Sequence, residues 1–253
     1  MSYLQPFPNE KGIVLKIFKR STVIRNIILH ILMSMLYLHI IEALSGGHSA
    51  VKLSFLKTTL LEHNILLTLL ALALAQIYRV STLAPTFFVV FCGGIFFSSI
   101  EIFFLTFNKV ILALNFFYIG VSFISYIMLK SELFESIYVP GFHKNSVNKF
   151  SEYNIQATIK SSAGKEVPGY LTNWGSLGCF FMPMTKSLLR GRVEISFVFG
   201  EKEFISSGRV MTSYGDGYGI SLAKVKGKKG RLPLGWLEFY DIIKQRGYAP
   251  RNQ

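Results

Sequence analysis

Between Thr22 and Leu129 the chain carries four apolar runs, Thr22–Leu44, Leu60–Tyr78, Leu83–Phe107 and Val110–Leu129. Each approaches or exceeds the roughly 20 residues that a helix needs to cross the hydrocarbon core of a bilayer. A single run of this kind is compatible with a buried core helix, but four in succession with short polar breaks are not. In lipid every backbone polar group has to be satisfied within the protein, which makes the runs helices. The first run is longer than the roughly 7–15 residues of a signal-peptide core and further runs follow it, so it reads as an uncleaved span. Ala43-Leu44-Ser45 is a weak cleavage-like site at its end. Gly93-Gly94 and Ser98-Ser99 supply small residues for close helix contact.

Charge gives the expected orientation. Lys11, Lys16, Lys19, Arg20, Arg25, Arg79, Lys130, Lys144 and Lys149 fall on one side of a four-span arrangement, and Lys52, Lys57 and Lys109 on the other. The excess of basic residues marks the cytoplasmic side. Both termini are therefore expected in the cytoplasm, with the bilayer as the chain's first partner. The net charge of +13 also raises a nucleic-acid polymer as partner, but no zinc-finger spacing or RNP signature accompanies it. Much of the basic charge flanks the runs instead, where it suits anionic lipid. Residues 1–20 form a basic tail, read either as an amphipathic segment on the membrane surface or as a solvated leader to the first span. Cys92 and Cys179 lie in unlike halves of the chain, which argues against a disulfide or thiolate metal site.

Residues 21–130 are thus expected to be a four-helix transmembrane domain and 131–150 a juxtamembrane connector, broken by Pro140-Gly141. From residue 151 the pattern changes to short alternating runs. Strands are predicted at Ile155–Lys160, Val167–Thr172, Cys179–Met182, Arg192–Phe199, Glu203–Thr212 and Tyr218–Val225, separated by Gly, Pro and charged turns. Six such strands predict a small antiparallel β-barrel. Leu234, Leu237, Tyr240 and Ile243 have helical spacing within an expected terminal helix, Leu232–Arg246.

The strand pattern, the terminal helix and the Asn173-Trp174-Gly175-Ser176-Leu177-Gly178 turn between the second and third strands resemble a PilZ domain over roughly residues 144–247. Gly217-Tyr218-Gly219-Ile220-Ser221-Leu222 is similar to the last strand of that family. The resemblance implies a bacterial inner-membrane receptor for cyclic di-GMP that signals to a protein partner. Two signatures carry ligand binding in the family: Arg-x-x-x-Arg before the first strand and Asp/Asn-x-Ser-x-x-Gly in the turn. Asn173 and Gly178 match the turn, Gly175 replaces its Ser, and Ser176 follows one residue later. Asn145 and Lys149 have the spacing of the arginine pair, with Lys144 adjacent. Arginine pairs bidentately with phosphate and stacks on a base, whereas lysine is a point charge. The competing reading of the turn is a plain strand connection built from preferred turn residues. A barrel without the arginines is also compatible with a docking module that binds no nucleotide.

A second polar set lies in the membrane half: His39 and Glu42, three apart on the first run, then Glu62, His63 and Asn64, with Glu101 and Asn115 in the third and fourth runs. Ionisable groups at such depth are costly and often functional. A ligand or divalent-metal site on the outer side is one reading, with Glu101 the deepest candidate. Mutual satisfaction between helices is the other, and it is also the reading of the lone His30. No catalytic triad order, phosphate-binding loop or metalloprotease helix is present. The sequence therefore points to a regulatory protein without enzymatic activity or a cofactor.

Overall fold

A computed structural model describes residues 15–47, 49–51, 53–141, 151–153, 155–223 and 234–250. The chain divides into two compact units, one of Ser21–Leu133 and one that joins Met1–Arg20 to Phe134–Gln253.

The first unit is helical: α1 (Thr22–Gly46), α2 (Leu53–Glu62), α3 (Asn64–Tyr78), α4 (Ala84–Thr106) and α5 (Lys109–Leu133). Ser21 caps α1 by accepting the Ile24 amide at 3.2 Å, and Gly47 ends it in the left-handed conformation. Three helices, α1, α4 and α5, are long and apolar enough to cross a membrane. Their outward faces are apolar too. Phe97, Phe104, Phe116, Phe117 and Phe123 are exposed, as suits a lipid solvent and not water.

The second apolar run differs from expectation. It is not one straight helix, because the chain bends by 81° between Ser54–Glu62 and Asn64–Tyr78. Helix α3 has 15 residues, about 22 Å at 1.5 Å per residue, against a hydrocarbon core of about 30 Å. Gly94 is where α3 approaches α4: a Cβ there would lie 2.7 Å from Leu66 Cδ2. Buried polar contacts fix the rotation of the long helices. The Tyr37 hydroxyl donates to Asn115 Oδ1 at 2.8 Å and lies 3.2 Å from Ser99 Oγ, and His30 Nε2 lies 3.1 Å from Ser122 Oγ. His30 is thus an interhelical hydrogen-bond partner.

The second unit is a closed six-stranded antiparallel barrel. Its elements are β1 (Lys16–Ile17), β2 (Ser151–Tyr153), β3 (Ile155–Ser161), β4 (Glu166–Trp174), β5 (Gly178–Pro183), β6 (Arg192–Phe199), β7 (Lys202–Tyr214), β8 (Gly217–Leu222), α6 (Trp236–Arg246) and β9 (Tyr248–Pro250). The barrel runs β7-β6-β3-β4-β5-β8, and β8 pairs back onto β7 to close it. Closure removes the sheet edges that would otherwise invite aggregation. Period-two burial drives it: Val193, Ile195, Phe197 and Phe199 of β6 point inward, and Arg192, Glu194 and Val198 are exposed. Trp236, Phe239 and Ile243 of α6 complete the core. The expected strands are all present, although the last ends at Leu222. The helix begins at Trp236, later than its spacing suggested, since Leu234 bridges Phe204. Residues 224–233, with the basic run Lys224–Arg231, lie outside the described residues.

Two bulges break the ladders, in β4 between Leu171 and Asn173 and in β7 between Val210 and Thr212. Each receives a segment from outside the barrel. The Met211 carbonyl, at the β7 bulge, accepts the amides of Phe18 (2.7 Å) and Lys19 (3.2 Å). Thr172, at the β4 bulge, donates to the Pro140 carbonyl at 2.7 Å. A bulge frees backbone groups from the ladder; the N-terminal tail uses the Met211 carbonyl in this way, whereas at the β4 bulge the contact is made by the Thr172 hydroxyl. The described part of the basic tail is therefore a strand on the barrel: β1 pairs with β7 as Lys16↔Ser213 and Ile17↔Thr212.

Candidate functional site

The Asn173–Gly178 segment is tighter than a six-residue turn. Asn173 and Trp174 finish β4, Gly178 opens β5, and the Gly175 amide donates to the Gly178 carbonyl at 2.8 Å. Asn173 is buried and its side chain is engaged at both ends. Its Nδ2 donates to the Val139 carbonyl at 3.0 Å, and its Oδ1 accepts the Trp174 amide at 2.9 Å. Ser136 Oγ donates to the Gly178 carbonyl at 2.8 Å. The Trp236 indole donates to the Gly175 carbonyl at 2.9 Å. Thr212 Oγ1 donates to the Ile137 carbonyl at 2.6 Å, inside the buried strip formed by Ile137, Tyr138 and Val139.

These bonds share one theme. The first residues after α5, Phe134–Gly141, are stitched along β4, β5 and β7 beside the turn. Of the residues that the family resemblance singles out, Asn173, Gly175, Ser176 and Gly178 lie together here. Gly175 and Ser176 are half-buried and Gly178 is buried. Lys144, Asn145 and Lys149 lie outside the described residues.

Local charge is not uniformly favourable to an anion. A Cβ on Gly175 would stand 3.0 Å from Ser136 Oγ and 3.2 Å from Glu135 Oε2, so a carboxylate flanks the turn. The Tyr240 phenol on α6 is pushed up from its ordinary value by burial, and then by the charges of Glu135 and Asp241. Trp174 and Trp236 are core residues, packed edge-to-face or tilted around Phe239. Cys179 is fully buried, and burial pushes its thiol up, which leaves it a packing residue without thiolate character.

In the helical unit the structure brings together only part of the polar set. His39, Glu42 and His63 meet around Thr59, which the sequence did not single out. Thr59 Oγ1 donates to Glu42 Oε2 at 2.5 Å, and His63 Nε2 lies 2.5 Å from Glu42 Oε1. His39 Nδ1 lies 3.2 Å from Thr59 Oγ1, and its Nε2 is 2.9 Å from the Ala50 carbonyl. A carbonyl only accepts, so His39 Nε2 carries a proton. Thr59 thus bridges the His39 ring and the Glu42 carboxylate through one hydroxyl. Each partner satisfies the others, and His63 stands at the α2–α3 bend. Glu62, Asn64 and Glu101 are exposed and outside this cluster, and Asn115 belongs to the Tyr37 contact. Among the described residues no group of three His, Cys, Asp or Glu side chains is arranged to hold a metal.

No protein-family model matches the chain, and no curated protein matches it significantly. The architecture defines the class: a protein with three helices long and apolar enough to cross a membrane and a six-stranded antiparallel barrel.

Proposed function

We propose that this chain is a membrane-anchored regulatory protein in which the barrel receives an input at the Asn173–Gly178 turn and passes it to α5 through Phe134–Gly141. The input implied by the PilZ-like turn is cyclic di-GMP. The observation that carries the reading is the set of bonds from Ser136, Ile137, Val139 and Pro140 to Gly178, Thr212, Asn173 and Thr172. A ligand or partner that displaced the turn would have to remake those bonds. The segment holding them is continuous with the end of α5 at Leu133.

The second reading, a docking module without nucleotide, is favoured by a specific observation. The Asn173 amide is already bonded at both ends, and Glu135 flanks Gly175. A titration of cyclic di-GMP separates the two. It requires the full chain in detergent or nanodiscs, because a fragment beginning at Lys144 lacks both β1 and Phe134–Gly141. The test compares the natural protein with a triple variant, Asn145→Arg, Lys149→Arg and Gly175→Ser. A charge-assisted hydrogen bond is worth about 1.5–3 kcal/mol, so each regained contact should tighten binding about tenfold or more. Micromolar binding by the natural chain supports the receptor. Binding by the variant alone supports the docking module. Binding by neither, with both folded, defeats the nucleotide reading.

Topology belongs to the same proposal. Residues just before α1 pair with β7, and residues just after α5 are stitched to β4, β5 and β7. The chain therefore enters α1 and leaves α5 in one aqueous compartment, which requires an even number of crossings. Three long helices are an odd number, which supports reading the bent α2–α3 pair as the fourth crossing. With basic residues inside, both ends lie in the cytoplasm of a bacterial inner-membrane protein. A reporter fused after Gly47 should be exported, and reporters after Arg79 or Gln253 should stay inside. Export at Arg79 together with Gly47 would leave three crossings and overturn the four-span topology.

A further inference from the structure

The β1 edge of the barrel carries a surface that neither the turn nor the core explains. Beyond Arg192, where β6 begins, the edge of β7 is taken over first by Gly191, whose carbonyl accepts the Val210 amide at 2.9 Å, and then by Phe18 at Met211. The loop from Met184 to Arg190 and the β1 strand are thereby neighbours. The Arg190 guanidinium lies 5.3 Å from the centre of the Phe18 ring, a cation–π contact that joins them.

This face is apolar and basic together. Leu188 is 73% exposed, Met184 50% and Phe18 39%. Lys19, Lys186 and Arg192, in the same segments of chain, are exposed as well. The stretches 15–20, 184–192 and 209–213 contain no Asp or Glu. Exposed aliphatic tips with cations in the same segments, Glu194 being the nearest outward-facing acid along β6, match the chemistry of a bilayer interface: phosphates outside, acyl chains beneath.

Chain length fixes where the face sits. Only Lys19, Arg20 and Ser21 separate Phe18 from Thr22, the first residue of α1. At most about 3.6 Å per residue, Phe18 lies within about 14 Å of the start of that span. With α1 as a membrane span, this short tether keeps Phe18, and Arg190 against it, close to the headgroup layer.

We propose that the face built from β1 and the Met184–Arg192 loop docks on the membrane surface, with Lys186, Arg190 and Arg192 binding the phosphates of anionic lipid and Leu188 entering the interface. The proposal rests on α1 being a membrane span.

The test uses the full chain carrying Leu188→Trp in nanodiscs of phosphatidylcholine alone or with added phosphatidylglycerol, each containing a lipid-borne quencher. Trp174 and Trp236 are buried, so the natural chain supplies the background. The Leu188→Trp emission should be quenched in anionic discs and much less so in neutral ones. The difference should be lost in high salt and in a Lys186→Glu, Arg192→Glu variant whose barrel melts normally. Equal quenching in both lipids, or none in either, overturns the proposal. A chain that fails to enter nanodiscs at all overturns the spanning reading beneath it, which is a separate result.

Discussion

Gly178→Ala should destabilise the barrel by about 3 kcal/mol and broaden or abolish its unfolding transition, whatever ligand is present. A Cβ at this position would lie 2.0 Å from the Ile220 carbonyl oxygen and 2.9 Å from Ile137 Cγ1. The first neighbour is backbone, held by the β5–β8 ladder in which Gly178 pairs with Ser221. It cannot move aside without opening the barrel seam. Half-exposed Ser176 is the control, and Ser176→Ala should change stability by less than about 0.5 kcal/mol. Thermal melts of the full chain, followed by far-ultraviolet circular dichroism, check both. A native-like melt for Gly178→Ala would show that the turn is looser than its contacts imply. The result also governs how ligand-binding experiments are read. Lost binding in a Gly178 variant would report a lost fold, so Asn145, Lys149 and Gly175 are the informative positions.

Trp236→Ala should cost about 3–5 kcal/mol, the range for removing a large buried aromatic. Trp236 is 1% exposed and sits against Phe197 at 5.9 Å and Phe239 at 4.9 Å, ring centre to ring centre. Its indole N–H also holds the Gly175 carbonyl. Trp236→Phe keeps most of the packing and loses that bond, so it should cost about 1–3 kcal/mol. Denaturant unfolding measures the ordering, and amide exchange at Gly175 and Ser176 should rise in both variants. If Trp236→Phe is as damaging as Trp236→Ala, the lost indole hydrogen bond dominates, and if Trp236→Phe is nearly harmless, packing alone is what α6 contributes to the turn.

The cluster around Glu42 shows the limit of reading polar residues from a sequence. His39, Glu42 and His63 stood out because charge at membrane depth is rare. Nothing in the pattern distinguished them from Glu62 or Glu101, which the structure leaves exposed. Thr59 had no signal at all, yet it bridges His39 and Glu42. Helical spacing does put His39 and Glu42 on one turn. What brings Thr59 and His63 to them is the α2–α3 bend, and an apolar run of ordinary length does not announce a bend.

The two-part architecture follows from the pattern of residues alone. Unbroken apolar runs of membrane length leave the backbone no partner except its own helix, and period-two alternation, clearest in β3, β4 and β6, leaves closure as the way to bury one face of the sheet. The pattern also marks the turn, since Asn and Gly between two strands carry their own local chemistry. Which groups those residues meet is set by long-range packing. Asn173 meets Val139, Gly178 meets Ser136, and Thr212 meets Ile137 across 75 positions of chain. Lys16 and Ile17 become a strand because a bulge in β7 frees the Met211 carbonyl beside them. Periodicity records how deeply each residue is buried. It carries no record of which distant backbone group will stand opposite, because that depends on the packing of segments that share no local pattern.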